Sequence, residues 1–351
     1  MKVARLMTLA ALAALASPAF AQESALSAEE LAEATKTAEA LGARFDVVEP
    51  GFAGTDPAWI EQFAQDLALR GNNLRNIVIT GYWPPTNEML RPWSPNPAQN
   101  GGMYIGENWE GRGYNVIAFF PEFPSGLGRG EGDFEVDYQD TTDDWAVLIP
   151  PLAPVAIITT SRANTTRGWE LETKRINRRV WSSDYVSPTQ PTPTPPDGTV
   201  PENFERFSSL PMQAIVDAVD ASGIFVDPFI ADDYGGSFLS SYIGYFGIWE
   251  CDTHMSPMDP AWCLAAGHIH VGSSAIVADA TAAMEVTLRT LIETLNAQLC
   301  PADLDGDGVV GPADLGALLG GWGQPGPADL DGDGTVGSAD RGAMLGSWGP
   351  C

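Results

Sequence analysis

Through the middle of this chain, short runs of strand-forming residues alternate with helical stretches, and this alternation restricts the fold more than any other feature. The strand-forming runs are 76–80, 115–120, 155–159, 224–226 and 269–271. Apolar residues recur at helical spacing over 210–221 and over a long segment at 276–299. Strands that alternate with helices favour an α/β domain with a mostly parallel, twisted sheet and helices on both faces. We therefore predict such a domain over residues 71–299.

Composition and charge narrow the class of partner. The chain has 351 residues, of which 44% are hydrophobic and 18% charged, so it can bury a sizeable core. Its 18 basic residues stand against 46 acidic ones, which gives a formal net charge of −28. A field of this sign repels nucleic acids and anionic membrane surfaces. We expect neither as a partner.

The first 21 residues have the layout of a cleaved signal peptide. Lys2 and Arg5 precede an apolar run at 6–16, and a small-residue cleavage site follows at 19–21. The alternative is a transmembrane anchor, which needs about 20 apolar residues, roughly twice this run. We predict a signal peptide over residues 1–21 and no later membrane span. The mature protein should then be exported, to the extracellular space, the periplasm or the cell surface.

Two segments lie beside or within the predicted domain. We predict a helical extension over residues 22–70, with helical patterns at 27–41 and 57–69 and with Ser27 and Asp56 as caps. The segment 186–201 contains six prolines and cannot be a helix or an interior strand. It could link two domains, but similar α/β signals lie on both sides. We favour a surface loop inside one domain.

The last fifty residues contain a tandem repeat rich in aspartate and glycine. Segment 302–323 recurs 26 residues later as 328–349. Each copy places aspartates at positions 1, 3, 5 and 12 of a loop of 12 residues, with a glycine at position 6, which is Gly308 or Gly334. The aspartates are Asp303, Asp305, Asp307, Asp314, Asp329, Asp331, Asp333 and Asp340. Because Ca²⁺ prefers oxygen ligands at this spacing, we predict two calcium sites and not two solvated acidic turns.

This pattern resembles the type I dockerin, a paired calcium-loop-and-helix module, over residues 300–351. The ending Trp348-Gly349-Pro350-Cys351 is similar to the dockerin variant that ends in cysteine. The resemblance implies Ca²⁺ as the cofactor, a cohesin-type protein as the partner, and anchoring as the role of the module. It also implies a disulfide between Cys300 and Cys351, which bracket the module, as in clasped dockerins.

Five elements of the middle domain resemble pyroglutamyl-peptidase I and occur in that family's order. They are ITGYWP at 79–84, LETKRIN at 171–177, FSSLP at the start of 207–224, GGSFLSS at 235–241 and AGHIHV at 266–271. The resemblance implies the family's α/β fold. It also implies hydrolysis of the amide after an N-terminal pyroglutamyl residue, without a cofactor.

Carried over by position, the family's catalytic residues fall on three positions of this chain. His270 matches the general base and Glu172 the supporting carboxylate, while Ser240 stands where the family has its nucleophilic cysteine. A helix N-terminus stabilises a thiolate, but a serine hydroxyl is far less acidic and would need His270 to take its proton directly. Outside the resemblance, Ser240 would be a cap, Glu172 a solvated carboxylate and His270 a core residue.

The predicted substrate pocket also departs from the family. Tyr82 matches the first of two aromatic residues that hold the lactam ring, Pro85 occupies the second position, and Trp83 lies between them. Gly236 precedes the nucleophile position, where backbone N–H groups would stabilise an oxyanion.

Two other expectations concern histidines and cysteines near the site. His268 and His270 alternate along a strand, and we expect them on opposite faces, which argues against joint ligation of a metal. Cys251 and Cys263 close a short loop, and in an oxidising compartment we favour a disulfide over a free nucleophile.

The sequence therefore predicts an exported hydrolase that acts on an N-terminal, pyroglutamyl-type amide and is anchored through a calcium-dependent module. The alternative is an inactive relative of such enzymes that serves as a binding or structural component of an extracellular assembly. Ser240 and Pro85 favour this alternative.

Overall fold

The computed structural model describes residues 54–70, 74–101, 103–124, 126–232 and 236–351. The predicted signal peptide and the predicted helix at 27–41 lie outside the described residues. Within them, helix α1 (Pro57–Arg70) forms where the sequence predicts it, and the Asp56 side chain accepts a hydrogen bond from the Ala58 N–H at 2.8 Å. Ile60 and Leu67 of this helix are buried against the α/β domain.

A six-stranded sheet forms the centre of the α/β domain. Its strands are β1 (Arg75–Tyr82), β2 (Tyr114–Phe119), β3 (Ala156–Ala163), β4 (Gly168–Glu172), β7 (Asp227–Ala231) and β8 (Ala265–Gly272). Their order across the sheet is β2-β1-β3-β8-β4-β7. Neighbouring strands are parallel except at β4 and β8, which are antiparallel. The mostly parallel α/β fold predicted from the sequence is confirmed.

Helices cover both faces of this sheet. They are α2 (Thr86–Leu90), α3 (Pro97–Asn100), α4 (Tyr138–Leu148), α5 (Met212–Ser222), α6 (Leu239–Thr253) and α7 (Val277–Leu299), with single 3-10 turns at Arg91–Trp93, Trp109–Gly111 and Pro150–Leu152. Strand β1 shows why two layers are needed, because Ile77 and Ile79 pack into one apolar cluster while Val78 packs into the other. Fully buried strands of this kind read as continuous apolar runs.

One predicted strand is wrong in position. Residues 224–226 form the turn after α5, and the strand begins at Asp227. Gly223 ends the helix in a left-handed conformation (φ 70°), and Val226 then folds back onto the core. The true strand β7 lies at the edge of the sheet, where Phe229 and Ile230 are exposed, so it lacks a buried apolar pattern.

The proline-rich segment is a loop between two strands that pair with each other. Strands β5 (Lys174–Ile176) and β6 (Glu205–Phe207) are antiparallel neighbours on either side of it. A buried ion pair fixes its end, because Arg206 Nη2 lies 2.6 Å from Asp197 Oδ2. The segment therefore returns to the same unit and does not lead away from it.

The C-terminal repeat folds around a small core of its own. It contains β9 (Val309–Val310), α8 (Pro312–Gly320), α9 (Ser338–Gly346) and β10 (Gly349–Pro350), and β9 pairs with β10. The buried members of the core are Cys300, Ala302, Val310, Leu318, Ala328, Val336 and Met344.

Both predicted disulfides are present. Cys251 bonds to Cys263 between the end of α6 and the start of β8, and Cys300 bonds to Cys351 across the repeat. Disulfides persist in oxidising compartments, so this pairing is typical of exported proteins. Among the described residues, no helix has both the length and the apolar composition needed to cross a membrane.

Candidate functional site

A carboxylate and an imidazole meet where β4 and β8 run antiparallel. Glu172 ends β4, and its Oε1 lies 3.0 Å from Nδ1 of His270 on β8. Glu172 is 3% exposed and the His270 side chain 12% exposed. This contact fixes the orientation of the imidazole ring through its Nδ1 atom. The fold therefore brings together two of the three predicted catalytic residues.

A buried arginine completes this pair on its other side. Arg175 on β5 is fully buried and forms an ion pair with Oε2 of Glu172, while its Nη1 donates to the Lys174 carbonyl at 3.0 Å. An ionised carboxylate is costly to bury without a counter-charge. Arg175 supplies that charge, so the site contains an arginine–glutamate–histidine row.

The expectation that His268 and His270 lie on opposite faces is wrong. Residues two apart on a strand point to the same face, and the two rings lie 4.7 Å apart between centroids. His268 is fully buried, with Nδ1 and Nε2 each 2.8 Å from a hydroxyl, of Thr159 and Ser161 respectively. Burial, the charge of Arg175 and the neighbouring His270 hold the pKa of His268 well below its usual value.

Three side chains of this site lie close enough together to be considered as metal ligands. Glu172, His268 and His270 have possible ligand atoms within 4.8 Å of one another. Both ring nitrogens of His268, however, already have hydroxyl partners, and Arg175 places a positive charge on Glu172. These contacts suit a neutral imidazole and an ionised carboxylate better than a cation.

Helix α6 brings Ser240 towards this row. The helix packs on the sheet through glycines: a Cβ at Gly247 would lie 2.9 Å from Thr159 Cγ2, and one at Gly244 would lie 3.1 Å from His268 Nδ1. Ser240 precedes Gly244 by one turn, about 6 Å along the helix axis, and His270 follows His268 by about 6.6 Å along the strand. A Cβ at Gly247 would also lie 3.5 Å from Cγ2 of Ile157, which pairs with Ala266, so the helix runs against the strand and its first turn, with Ser240, points towards the His270 end of β8.

Ser240 itself is largely buried, with 6% of its surface exposed. Within the described part of the chain, its hydroxyl is not a hydrogen-bond partner of His270 or Glu172. Phe238, the N-cap residue of α6, has no side-chain acceptor for the first-turn N–H groups. The positive end of the helix dipole therefore lies beside Ser240.

The predicted pocket residues occupy different environments. Tyr82 is fully buried, with its hydroxyl hydrogen-bonded to Thr141, and burial raises its pKa well above the usual value. Trp83 has a positive φ of 60° and stacks on Phe238, with centroids 5.8 Å apart and planes at 11°. Trp83 thus contacts the residue at the start of α6.

The remaining two predicted pocket residues belong to backbone turns. Pro85 is buried as the N-cap residue of α2, and Gly236 has a φ of 74° that favours glycine. The carbonyl of Ser237 accepts a hydrogen bond from the Ser182 N–H at 2.7 Å. The loop before α6 is therefore held by the segment that follows β5.

The acidic loops of the repeat form two clusters. Asp303, Asp305 and Asp314 have ligand oxygens within 4.8 Å of one another, and so do Asp329, Asp331 and Asp333. Gly308 and Gly334 have φ of 86° and 93°, which is the left-handed turn expected at position 6. Asp307 and Asp340 lie outside these groups.

The donor set of both clusters consists of carboxylate oxygens and fits a hard divalent cation such as Ca²⁺. Loss of hydration raises the pKa of Asp305, and the charges of Asp307, Asp314 and Asp303 raise it further. Asp314 differs because, although burial acts to raise its pKa, backbone N–H groups of Gly311, Asp305 and Leu304 lower it. A cation would relieve the repulsion among these carboxylates.

No protein-family model and no curated protein matches the chain. Solved structures do. Pyroglutamyl peptidase I from Bacillus amyloliquefaciens matches with 17% identity over 62% of this chain and 95% of its own, at a TM-score of 0.43. Pyrrolidone carboxyl peptidase from Thermococcus litoralis matches with 16% identity over 64% of this chain and 96% of its own, at a TM-score of 0.47. A mutant pyrrolidone carboxyl peptidase from Pyrococcus furiosus matches with 15% identity over 63% of this chain and 99% of its own, at a TM-score of 0.45. These likenesses concern the course of the backbone alone.

Sequence reasoning missed three residues of the site. Arg175 lies in a charged stretch that is typical of a solvent-exposed segment. His268 is expected on the face opposite His270, but residues two apart on a strand share a face. Phe238 gave no signal of its own, although its position two residues before Ser240 places it at the helix start.

Proposed function

We propose that the protein is a hydrolase in which Ser240 is the nucleophile, His270 the general base and Glu172 the residue that orients His270. One observation supports this proposal: α6 packs on β8 through Gly244 against His268, so the first turn of α6, with Ser240, points towards the His270 end of that contact. The Glu172–His270 contact of 3.0 Å supports it. Seryl nucleophiles on several unrelated folds work with a base that a carboxylate orients.

The chemistry follows from the order of the groups in this row. Glu172 accepts the Nδ1 proton of His270, and Nε2 takes the Ser240 proton as the hydroxyl oxygen attacks an amide carbon. The first-turn N–H groups of α6 stabilise the negative charge that develops on the carbonyl oxygen. His270 then donates the proton to the leaving amine, and water cleaves the resulting ester by the same steps.

For the substrate, we propose the amide that follows an N-terminal residue, with a pyroglutamyl-type ring as the first candidate. The five sequence elements that resemble pyroglutamyl-peptidase I support this choice. The buried Tyr82 does not, and a ring would have to contact Trp83 and Phe238 instead.

A second candidate function is binding without catalysis. The observation that favours it is the ion pair between Arg175 and Glu172, because a neutralised carboxylate stabilises a protonated His270 less than a free one does. A serine nucleophile depends on that protonated state more than a thiolate does.

For the C-terminal repeat, we propose that each acidic loop binds one Ca²⁺ and that the module anchors the exported protein to a cohesin-type partner. The two oxygen clusters and the tandem repeat support calcium binding. The partner is supported by the dockerin resemblance of residues 300–351.

A serine-directed phosphonate probe tests the nucleophile without knowledge of the substrate. We expect the probe to label the native protein on a peptide containing Ser240, and Ser240→Ala to abolish labelling. Ser241→Ala is the matched control because it removes the neighbouring hydroxyl on the same helix turn, and labelling should persist. Labelling of neither serine in folded protein would favour binding without catalysis.

A further inference from the structure

The two halves of the C-terminal repeat cover each other's acidic loops. After α8, Gly323 donates to the carbonyl of Val336 at 2.9 Å, and the Gln324 carbonyl accepts from the Val336 N–H at 2.9 Å. After α9, Gly349 pairs with Val310 in the same way. Gly349 is the repeat equivalent of Gly323, and Val336 that of Val310. Each loop is therefore closed by the segment that follows the helix of the other copy.

The covalent connection behind these covering segments differs between the copies. The repeat spacing of 26 makes Pro325 equivalent to Cys351 and Gly326 equivalent to Cys300. At the second loop, a peptide bond joins 325 to 326, so the covering segment runs directly into the loop it covers. At the first loop, the Cys300–Cys351 disulfide stands where that peptide bond would be. The disulfide thus closes the duplicated module into a covalent ring.

Cys351 also contacts the first loop directly. Its N–H donates to the carbonyl of Gly308 at 3.0 Å, and its Sγ lies 3.8 Å from Oδ2 of Asp303, the first predicted calcium ligand. Asp303 accepts hydrogen bonds from Gly306 and Gly308, so its position depends on the same turn. The disulfide therefore holds the backbone and one carboxylate of the first loop, and none of these contacts involves the second loop.

We propose that the Cys300–Cys351 disulfide is a redox-sensitive latch that sets the calcium affinity of the first loop and leaves the second loop unchanged. This inference rests on the proposed calcium binding of both loops. A dithiol reductant would transfer two electrons and two protons, giving two cysteine thiols and its own disulfide. Cys351 is exposed, whereas Cys251 and Cys263 are 3% exposed, so the latch is the more accessible of the two disulfides.

Calorimetric titration of the full-length protein with CaCl2 tests the latch, before and after treatment with dithiothreitol. We expect two calcium sites in the oxidised protein. After reduction, one of them should lose about tenfold or more in affinity, because the segment after α9 is no longer held at a high effective concentration beside the first loop. The double variant Cys300→Ser/Cys351→Ser should behave like the reduced protein without any reductant. The variant Cys251→Ser/Cys263→Ser is the control and should keep both affinities.

Two further variants assign the weakened site. In Asp331→Asn, which disables the second loop, the remaining site should weaken on reduction. In Asp305→Asn, which disables the first loop, the remaining site should be indifferent to dithiothreitol. Equal affinities before and after reduction, or an equal loss at both sites, would overturn the latch while leaving calcium binding intact. Absence of calcium binding in the oxidised protein would overturn the calcium proposal itself. Circular dichroism of each variant checks that it folds.

Discussion

At the scale of single residues, the candidate site is a row of Arg175, Glu172 and His270. Glu172 and His270 are recognised through the motifs around them, and the fold places them 3.0 Å apart. Arg175 could not be recognised, because a lysine- and arginine-rich stretch usually faces solvent. Arg175 is buried because β5 pairs with β6 and both strands pack against α6. These contacts join distant parts of the chain.

The first prediction concerns the Arg175–Glu172 ion pair. Arg175→Met should lower the free energy of unfolding by about 3–5 kcal/mol, because it leaves a buried carboxylate without its counter-charge. The double variant Arg175→Met/Glu172→Gln should recover most of that loss, since no buried charge then remains. Urea unfolding of the two variants and the native protein measures both values. A single variant within about 1 kcal/mol of native would mean that Glu172 is not ionised against Arg175.

At the scale of elements, burial decides which segments carry a periodic sequence pattern. Helix α6 is buried on nearly every side, so it has no amphipathic pattern to recognise. Strand β7 begins three residues later than predicted, because at the edge of the sheet its apolar residues Phe229 and Ile230 are exposed and show no buried pattern. Helix α4 is set by its cap: the Asp137 side chain accepts hydrogen bonds from Gln139 and Asp140.

The second prediction concerns Asp144, on α4. Burial raises its pKa to about 7; the Phe134 N–H opposes this, and the charges of Asp133, Asp140 and Glu135 add to it. An unfolded aspartate has a pKa of about 3.9, so the folded state binds the proton more tightly and stability falls as the pH rises from about 4 to about 7.

Asp144→Asn removes this penalty and keeps an acceptor for the Phe134 N–H. At pH 8 the variant should be more stable than the native protein by on the order of 1–3 kcal/mol, and at pH 4 the difference should nearly vanish. Thermal unfolding at both pH values measures it. A variant that is destabilised at pH 8 would show that the carboxylate is charged and favourably held there.

At the scale of the whole molecule, the sequence predicts the fold class and the repeat well. Parallel strands, helical layers and duplicated loops all produce periodic local patterns. The order of the strands and the antiparallel contact of β4 with β8 do not, because they depend on long-range pairing. The contact between α6 and His268 likewise requires Gly244 and Gly247, whose importance appears only when the neighbouring elements are in place.

The third prediction concerns the separate cores of the α/β domain and the repeat. Seven buried residues form the core of the repeat, so its stability should depend strongly on Ca²⁺ bound between mutually repelling aspartates. In a chelator, calorimetric scanning should show the transition of the repeat shifted down by roughly 10 °C or more and that of the α/β domain unmoved. Excess CaCl2 should reverse the shift. Identical scans with and without chelator would contradict calcium binding.

The most direct test of the proposed site is hydrolysis of a fluorogenic pyroglutamyl amide by three proteins: native, Ser240→Ala and Ser240→Cys. We predict measurable turnover by the native protein and its loss in Ser240→Ala with the fold intact, since the change removes one hydroxyl and should cost no more than about 1 kcal/mol. Ser240→Cys should retain or increase turnover, because the helix N-terminus and His270 stabilise a thiolate. Turnover by the cysteine variant alone would identify a site that has lost its nucleophile. Turnover by none of the three folded proteins, or equal turnover by native protein and Ser240→Ala, would contradict the assignment of Ser240, His270 and Glu172 as a hydrolytic site for this substrate.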